Sequence, residues 1–411
     1  MYNGATMTVE LREARPDELH EVALVTAIAF DADRNAEGLI GQGIYDLFTP
    51  LVCREDGRLV ACLSVGHMAA FYEGTEVPLG AVSMVSCLPE ERRRGLVGRL
   101  LAYCLAYMRE RGLCLSGLFT PHPSLYRRYG WAAAHPYIGC SIDPKAVGVR
   151  WLPRPRGRAV RVDMESWTLL DDLHRRWAAA RNGPLVRSEA WWRAAVFRGL
   201  YWPRRLPRDC AVWYRPDGTP SGFLVYEAGV RRAGQGVENY FAAFQLAALD
   251  GDAYAGLLRY ILSFDLAHEV ALPVEMADPL LAAVDEAQRL QATRHLGMML
   301  RLVDVADALS RRPTAAPDGT RLLLGIEDEH APWNRGVWLL EAEGGRLRVR
   351  PSQESPQLSC DAGNLAPVFS GLLSPREAAR CGLLTVHEPK AVEAAQRLLA
   401  ASLPVSCPEF F

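Results

Sequence analysis

Residues 85–111 read VSCLPEERRRGLVGRLLAYCLAYMRER, and this stretch decides the fold. The apolar run that begins at Ala81 predicts a strand, which ends at Pro89. A basic turn, Arg92 to Gly95, follows. Beyond the turn, apolar residues recur at helical spacing, at Val97, Leu100, Leu101, Cys104, Leu105 and Met108. The stretch therefore predicts a strand, a basic turn and an amphipathic helix in direct succession.

This order of elements suits a pyrophosphate. The backbone N–H groups in the first turn of a helix have no intrahelical partners, and the helix dipole makes that end positive. Gly95 lets the backbone approach a phosphate closely, and the preceding arginines add forked donors. An arginine run alone is more often a solvated turn before a core helix. The unbroken order of strand, proline, basic turn, glycine and helix favours the phosphate site.

Composition limits the class of protein. The chain has 411 residues, of which 49% are apolar and 23% charged, and this is ordinary for a globular protein. A net charge of −2 with only local basic clusters argues against nucleic-acid binding. The N-terminal residues lack the apolar segment of a signal peptide, and no apolar stretch is long enough to predict a transmembrane helix.

The ten cysteines are scattered, and several lie inside apolar runs. We interpret them as buried free thiols of a protein in the reducing cytoplasm. Because no CxxC or HxxxH pattern occurs, no metal is expected.

Two segments rich in proline, arginine or glycine, 143–158 and 313–318, predict domain boundaries. We predict three domains over residues 1–150, 151–312 and 313–411. The second domain partly repeats the strand and helix layout of the first. Asp250 and Asp252 stand where the first domain has arginines, so we interpret the second domain as a degenerate, structural copy. The third domain is predicted to be a small α+β module.

Apolar spacing and cap residues predict further elements in the first two domains. The predicted helices span residues 17–30, 163–182, 254–266 and 280–291, and Ser188 is expected to cap another helix. A strand over residues 296–305 is expected to complete the second domain.

The segment Leu125-Tyr126-Arg127-Arg128-Tyr129-Gly130-Trp131 follows the basic turn, its helix and a short strand. In this arrangement the first domain resembles the GNAT superfamily of acyl-CoA N-acyltransferases. The chain length and the two terminal aromatic residues make the whole chain similar to the Eis-type (enhanced intracellular survival) acetyltransferases. The resemblance implies an α/β fold with α+β mixed sheets: tandem GNAT-like domains, then a small sterol-carrier-like domain whose tail reaches the active site.

The resemblance implies acetyl-CoA as co-substrate, with the pyrophosphate on the basic turn and the pantetheine arm along the preceding strand. The predicted cofactor-binding residues are Val85, Cys87, Arg92, Arg93, Arg94, Gly95 and Leu96. The family pattern Arg-x-x-Gly-x-Gly/Ala is met at Arg92 and Gly95. Val97 stands where a small residue is usual, although Eis-type members also carry a larger aliphatic residue there.

Tyr126 is the predicted general acid that protonates the leaving thiolate. A phenol pKa of about 10 lies close to that of a thiol, so proton transfer is nearly balanced. Tyr126 also occupies the position of the family's general acid in its segment. From the residues alone, a core tyrosine in a short helix is an equal alternative.

The resemblance further implies that the C-terminal carboxylate, here on Phe411, serves as the base. Two terminal aromatic residues, Phe410 and Phe411, indicate a docked tail, because exposing both in a frayed terminus is unfavourable. An α-carboxyl group has an ordinary pKa of about 3.5, which is low for a base. Burial or a water relay is therefore required, and positioning of the amine is the competing role.

The amine acceptor is less defined. Carboxylates attract a cationic amine, and the predicted substrate-binding residues are Asp31 and Glu409, with Met84 in an apolar wall. The family acetylates aminoglycoside-like polyamines and lysine side chains, and its members often form hexamers, so a homo-oligomer is expected. A rival hypothesis from another class is a non-enzymatic carrier that senses acyl-CoA or binds a lipid. The intact Tyr126 segment and the terminal aromatic residues favour the enzyme.

Overall fold

The computed structural model describes residues 8–30, 36–41, 43–199, 208–234 and 236–411. The N-terminal part contains six strands, β1 (Val9–Glu13), β2 (Phe48–Glu55), β3 (Arg58–Tyr72), β4 (Thr75–Cys87), β5 (Leu115–Leu118) and β6 (Ala132–Ile142). Its helices are α1 (Leu19–Ala29), α2 (Ala36–Gly41), α3 (Ile44–Leu47), α4 (Leu96–Glu110) and α5 (Pro123–Arg127).

The middle part contains the strands β7 (Arg158–Val162), β8 (Asp209–Tyr214), β9 (Pro220–Ala233), β10 (Gly236–Ala248), β11 (Glu269–Val274) and β12 (Gln291–Leu302). Its helices are α6 (Trp167–Ala178), α7 (Glu189–Trp191), α8 (Gly251–Leu262), α9 (Leu280–Ala283) and α10 (Val305–Arg311). Ser188 caps α7 as predicted, since its hydroxyl accepts a hydrogen bond from the Trp191 N–H at 3.1 Å.

The C-terminal part contains β13 (Arg321–Glu327), β14 (Gly336–Glu343), β15 (Arg346–Ser352), β16 (Leu358–Asp361) and β17 (Thr385–Val386). Its helices are α11 (Ala362–Ser370), α12 (Pro375–Arg380) and α13 (Ala391–Leu399). These five strands form their own sheet in the order β15-β14-β13-β16-β17. The chain then leaves α13 and runs back toward the N-terminal part.

The first two parts share one 12-stranded mixed sheet in the order β1-β2-β3-β4-β5-β12-β6-β11-β10-β9-β8-β7. The middle part inserts β12 between β5 and β6, and β6 in turn pairs with β11. The mixed α/β fold predicted from sequence is confirmed. The boundary predicted near residue 150 does not separate two sheets, because β12 of the middle part lies between β5 and β6.

Helix α4 follows the pattern of the opening stretch. Leu100, Leu101, Cys104, Leu105 and Met108 are all fully buried against the sheet. Burying an aliphatic side chain of this size stabilises the fold by about 1.5–3 kcal/mol relative to exposure. The helix ends before Gly112, which takes the left-handed backbone conformation at φ +70°.

The helix predicted over residues 280–291 is wrong. Helix α9 ends at Ala283, the backbone of Val284 is extended, and Gln291 already begins β12. Local spacing cannot show that this segment pairs with β6, whose Ser141 lies opposite Gln291. The pairing extends β12 in the N-terminal direction beyond the predicted strand.

None of the helices in the described ranges combines the length and apolar character needed to cross a membrane. Within the same ranges, no group of three or more histidine, cysteine, aspartate and glutamate side chains is arranged to hold a metal ion.

Candidate functional site

A cleft opens in the sheet between β4 and β5. These parallel strands, which the structure describes completely, pair only from Leu79–Leu115 to Ala81–Gly117 and then separate. On the other side of β4, Met84 and Val85 together face Leu63 of β3, which is a β-bulge. Met84 carries the rare left-handed conformation at φ +52°. The bulge turns the last residues of β4 away from β5 and exposes a backbone edge to the cleft.

The basic turn lies at the end of this edge. Arg93 and Gly95 both have positive φ angles, +66° and +80°, and Gly95 is the N-cap of α4. In the described chain no side chain caps this helix end. Successive N–H groups in such a turn form a concave anion-binding surface at the positive end of the helix. The geometry therefore fits the pyrophosphate predicted from sequence.

The three arginines of the turn differ in their contacts. The Arg94 guanidinium donates hydrogen bonds to the Glu55 carboxylate at 2.7 and 2.8 Å and also pairs with Glu91. Arg92 donates to the Ala29 carbonyl oxygen at 3.1 Å. Arg93 is exposed. Arg94 thus fixes the turn against the sheet, and Arg93 has the more accessible cation.

Tyr126 lies in α5 and is buried, with its ring edge-on to Trp131 at 6.4 Å between centroids. Burial raises the pKa of Tyr126 to about 12, and a hydrogen bond with Thr120 opposes the rise. The phenol therefore keeps its proton throughout the physiological range. Tyr126 is therefore a weaker acid than an ordinary phenol, so proton transfer from it to a free thiolate is uphill.

A close contact joins the Tyr126 segment to α4. A Cβ atom added to Gly98 would lie 1.9 Å from the Tyr129 hydroxyl oxygen, so only glycine fits there without a shift. The small residue required at the start of α4 is thus Gly98, one position beyond Val97. The departure from the family pattern at Val97 leaves this packing intact.

The C-terminal tail, residues 400–411, docks between the N-terminal and middle parts. The Asn182 N–H donates to the Pro404 carbonyl oxygen, and the Ser406 N–H donates to the Asn182 carbonyl oxygen, both at 2.9 Å. Glu73, in the turn between β3 and β4, accepts hydrogen bonds from the Ser402 and Leu403 N–H groups and from the Ser402 hydroxyl. We call Glu73 and Asn182, with these contacts, the tail latch.

The tail ends at the cleft. The Phe411 side chain is buried, and its ring lies edge-on to Phe119 at 5.0 Å between centroids. A Cβ atom added to Gly117 would lie 3.4 Å from Phe411 Cζ. Gly117 is the last residue of β5 that pairs with β4. The last residue of the chain therefore lies beside the point where the two strands separate.

Beside the tail lies a cavity of about 780 Å³. Its walls come from the end of β5, from β10 and β11, and from residues 406–410 of the tail. Thr120, the partner of Tyr126, lines it. Glu409 also lines it, but its carboxylate accepts hydrogen bonds from the Arg187 Nε and Nη2 at 3.0 and 2.8 Å.

The structure brings most of the predicted site residues into one region. Met84, Val85 and Cys87 lie in β4 beyond its last pairing with β5, and the turn from Arg92 to Leu96 follows them. The Phe411 ring lies beside Gly117 of β5. Asp31 lies outside the described residues. Sequence reasoning missed Thr120, Arg187 and the tail latch. Thr120 offered one signal, its place in the Thr-Pro-His-Pro segment just before Tyr126, whereas nothing local marks the other residues.

Comparisons with known proteins identify the parts. Models described as acetyltransferase (GNAT) domains match residues 10–134 and 183–302, and a sterol carrier protein domain model matches residues 305–408. An uncharacterized N-acetyltransferase of Streptomyces avermitilis is 29% identical over 377 residues, 87% of each chain. The N-acetyltransferase Eis of Mycobacterium tuberculosis is 21% identical over 338 residues, 80% of each chain.

Solved structures agree on the fold. A GCN5-related N-acetyltransferase from Anabaena variabilis superposes with a TM-score of 0.85 at 20% identity, over 98% of this chain and 100% of that one. Eis1 from Mycobacterium abscessus superposes with a TM-score of 0.78 at 23% identity, over 98% of this chain and 100% of that one.

Two GNAT domains on one shared sheet, with an uncapped helix N-terminus beside the cleft, define an N-acetyltransferase of the GNAT superfamily. With its sterol carrier domain and its Eis relatives, the chain belongs to the Eis-type acetyltransferases. GNAT acetyltransferases use acetyl-CoA, and the open turn at Gly95, where an added Cβ would meet no atom within 4 Å, fits its pyrophosphate.

Proposed function

We propose that this enzyme transfers the acetyl group of acetyl-CoA directly to an amine while both substrates are bound. One observation carries the proposal: the Phe411 ring lies against Gly117, where β4 and β5 separate. The ring anchors the last residue beside a thioester that would lie along the β4 edge, and we infer that the terminal carboxylate is within reach of the thioester. Acetyl-CoA binding and the terminal group thus belong to one composite site.

In the proposed reaction the neutral amine nitrogen attacks the thioester carbonyl carbon. A C–N bond forms, the C–S bond breaks, and the amine proton passes to the Phe411 carboxylate directly or through water. The Tyr126 hydroxyl first donates a hydrogen bond to the sulfur as negative charge develops, and then supplies the proton of the leaving thiol. Because the carboxylate is a weak base, its larger contribution is to orient the amine.

The turn at Gly95 leads to a prediction about acetyl-CoA binding. Gly95 and Gly112 lie at opposite ends of α4 with φ angles of +80° and +70°, and an added Cβ meets no atom within 4 Å at either position. Alanine at either position costs about 1–2 kcal/mol of backbone strain. Gly95→Ala also brings a methyl group toward the pyrophosphate.

We expect Gly95→Ala to raise the KM for acetyl-CoA by about tenfold, equivalent to about 1.4 kcal/mol of binding. The matched variant Gly112→Ala should lose similar thermal stability and keep the wild-type KM. Steady-state kinetics with varied acetyl-CoA measures both values. An equal KM in the two variants would show that the turn does not bind the pyrophosphate.

We further propose that the tail latch positions the terminal carboxylate. Glu73 has φ +48°, a strained conformation for a residue other than glycine. Burial acts to raise the pKa of Glu73, but hydrogen bonds from Ser402 and Asn182 outweigh it, so the pKa lies below its ordinary value. The ionised carboxylate thus accepts from the Asn182 amide at 2.8 Å and from the Ser402 hydroxyl at 2.5 Å.

We expect Glu73→Ala to lower kcat by about tenfold, because hydrogen bonds to a charged group contribute about 1.5–3 kcal/mol and other tail contacts remain. Asp56→Ala is the matched control, since Asp56 also has φ +48° in a hairpin turn and bonds Thr8 rather than the tail. Steady-state kinetics should show the KM for acetyl-CoA unchanged in both variants. A wild-type kcat for Glu73→Ala would rule out the positioning role.

The acceptor is proposed to be an amine, and the resemblance implies the aminoglycoside-like or lysine type. Of the residues predicted to contact it, Met84 lies at the cleft, whereas Glu409 is held by Arg187. We also propose that the molecule is a cytoplasmic homo-oligomer, a hexamer by family resemblance, built from domains over residues 1–150, 151–312 and 313–411. Light scattering after size-exclusion chromatography measures the assembly.

Thiol release from acetyl-CoA tests the proposed function. Wild-type enzyme is incubated with acetyl-CoA and each member of a panel of polyamines, lysine peptides and single amines, and free thiol is measured. We expect amine-dependent release and a matching N-acetyl product by mass spectrometry. Absence of both for every amine would refute the proposed activity.

A further inference from the structure

The cavity beside the tail is balanced in charge. The ionisable acids and arginines of its described lining are Arg181, Arg187, Arg208, Glu275, Asp278 and Glu409, so three cations face three carboxyl groups. Arg187 holds Glu409 through two hydrogen bonds. Arg181 forms an ion pair with Glu275. Two of the three carboxylates therefore already have a cation beside them.

The remaining charged groups do not favour a polycation either. The Asp278 carboxyl accepts hydrogen bonds from the Tyr254 hydroxyl at 2.5 Å and from the Leu280 N–H at 2.8 Å. Burial raises the pKa of Asp278, which favours its uncharged form. Arg208 lies over the Phe244 ring at 3.6 Å from its centroid. An incoming polycation would thus meet arginines at short range without an unengaged carboxylate among the described lining residues.

Aromatic side chains form much of the cavity wall. Seven of them line it: Phe119, Tyr137, Trp177, Trp191, Phe244, Tyr254 and Phe410. The Arg181 guanidinium lies 4.2 Å from the Trp177 ring centroid, so this cation packs against an aromatic face of the wall. A cavity of about 780 Å³ with such walls has the size and surface of a site for one compact organic molecule.

We propose that the acceptor bound in this cavity is an amine with a single positive charge and a flat apolar body, an arylalkylamine in chemical class, rather than a polycation. This inference rests on the proposed function and specifies its acceptor. The aromatic walls bury the apolar body. The single ammonium group requires one counter-charge, and we assign that role to the Phe411 carboxylate because the neighbouring Phe410 lines the cavity.

The test compares kcat/KM for tryptamine and neomycin in the thiol-release assay, with saturating acetyl-CoA. We expect tryptamine to exceed neomycin by at least about tenfold, since each uncompensated charge contact in a site of this polarity is worth a factor of that order. Equal or higher values for neomycin would overturn the acceptor class while leaving the acetyltransferase in place. If thiol release does not depend on any amine, both the acceptor class and the proposed acetyltransferase activity would be overturned.

Two variants change the charge balance in opposite directions. Arg181→Met leaves Glu275 unpaired and should raise the neomycin-to-tryptamine ratio of kcat/KM by about tenfold, whereas Glu275→Gln should lower it. Arg348→Met is the matched control, because Arg348 pairs with Glu343 on an exposed hairpin of the C-terminal part. A ratio that stays at the wild-type value in both cavity variants contradicts the proposal. If one of the two cavity variants is unfolded at the assay temperature, the ratio measured for the other variant still tests the proposal.

Discussion

Deletion of Phe411 is expected to lower kcat by about 10²–10⁴, the range by which a positioned acid or base accelerates proton transfer. The deletion removes a ring that packs on Phe119 and Trp191, at 5.0 and 6.4 Å between centroids, and it moves the terminal carboxylate to Phe410. The KM for acetyl-CoA should stay near its wild-type value, because the basic turn and the β4 edge are untouched. Steady-state kinetics with saturating amine measures the effect.

A matched substitution separates the ring from the carboxylate. Phe411→Leu keeps the terminal carboxylate and most of the apolar volume, so its kcat should fall far less than that of the deletion. A reduced melting temperature in both variants would report lost packing, which is expected. Equal loss of kcat in both would mean that the ring, and not the carboxylate, is required.

Tyr126→Phe is expected to lower kcat by about 10²–10⁴, since it removes the proposed donor to the sulfur while keeping the ring against Trp131. The pH profile adds a second readout. Because the pKa of Tyr126 is raised to about 12, the hydroxyl stays protonated, so the wild-type kcat should not fall on the alkaline side below about pH 10. A phenol that titrates near its ordinary pKa would give an alkaline fall instead.

Tyr129→Phe is the control for that substitution. The Tyr129 hydroxyl packs against Gly98 at the start of α4, so its loss should change kcat little and affect mainly the packing of the helix. If Tyr129→Phe reduces kcat as strongly as Tyr126→Phe, the roles of the two tyrosines are exchanged.

The local parts of this structure were predictable from sequence because their causes are local. The apolar spacing of α4, the left-handed glycine at each of its ends and the Ser188 cap all act within a few residues. The basic turn was likewise visible, since a strand, a proline and a helix N-terminus stand in order along the chain. Their combination with the Tyr126 segment was enough to indicate the acyl-CoA half of the site.

The remaining parts depend on contacts between distant segments. The insertion of β12 between β5 and β6 has no signal within β12 itself, which explains the false helix over residues 280–291. The bond from Ser402 to Glu73 joins positions 329 apart. Sequence reasoning took Glu409 as an acceptor carboxylate, whereas Arg187, 222 positions away, already pairs with it. Charge counted along a chain does not show which charges neutralise one another.

The most direct test of the composite site changes one functional group, the carboxylate of Phe411. Cys407 allows chemical ligation of residues 1–406 to the pentapeptide Cys-Pro-Glu-Phe-Phe as either its carboxylate or its carboxamide. Both products keep every side chain, and only the terminal charge differs. With saturating acetyl-CoA and amine, we predict a kcat at least about 10² lower for the carboxamide, at an unchanged KM for acetyl-CoA. Equal kcat values for the two products would contradict a catalytic role for the terminal carboxylate.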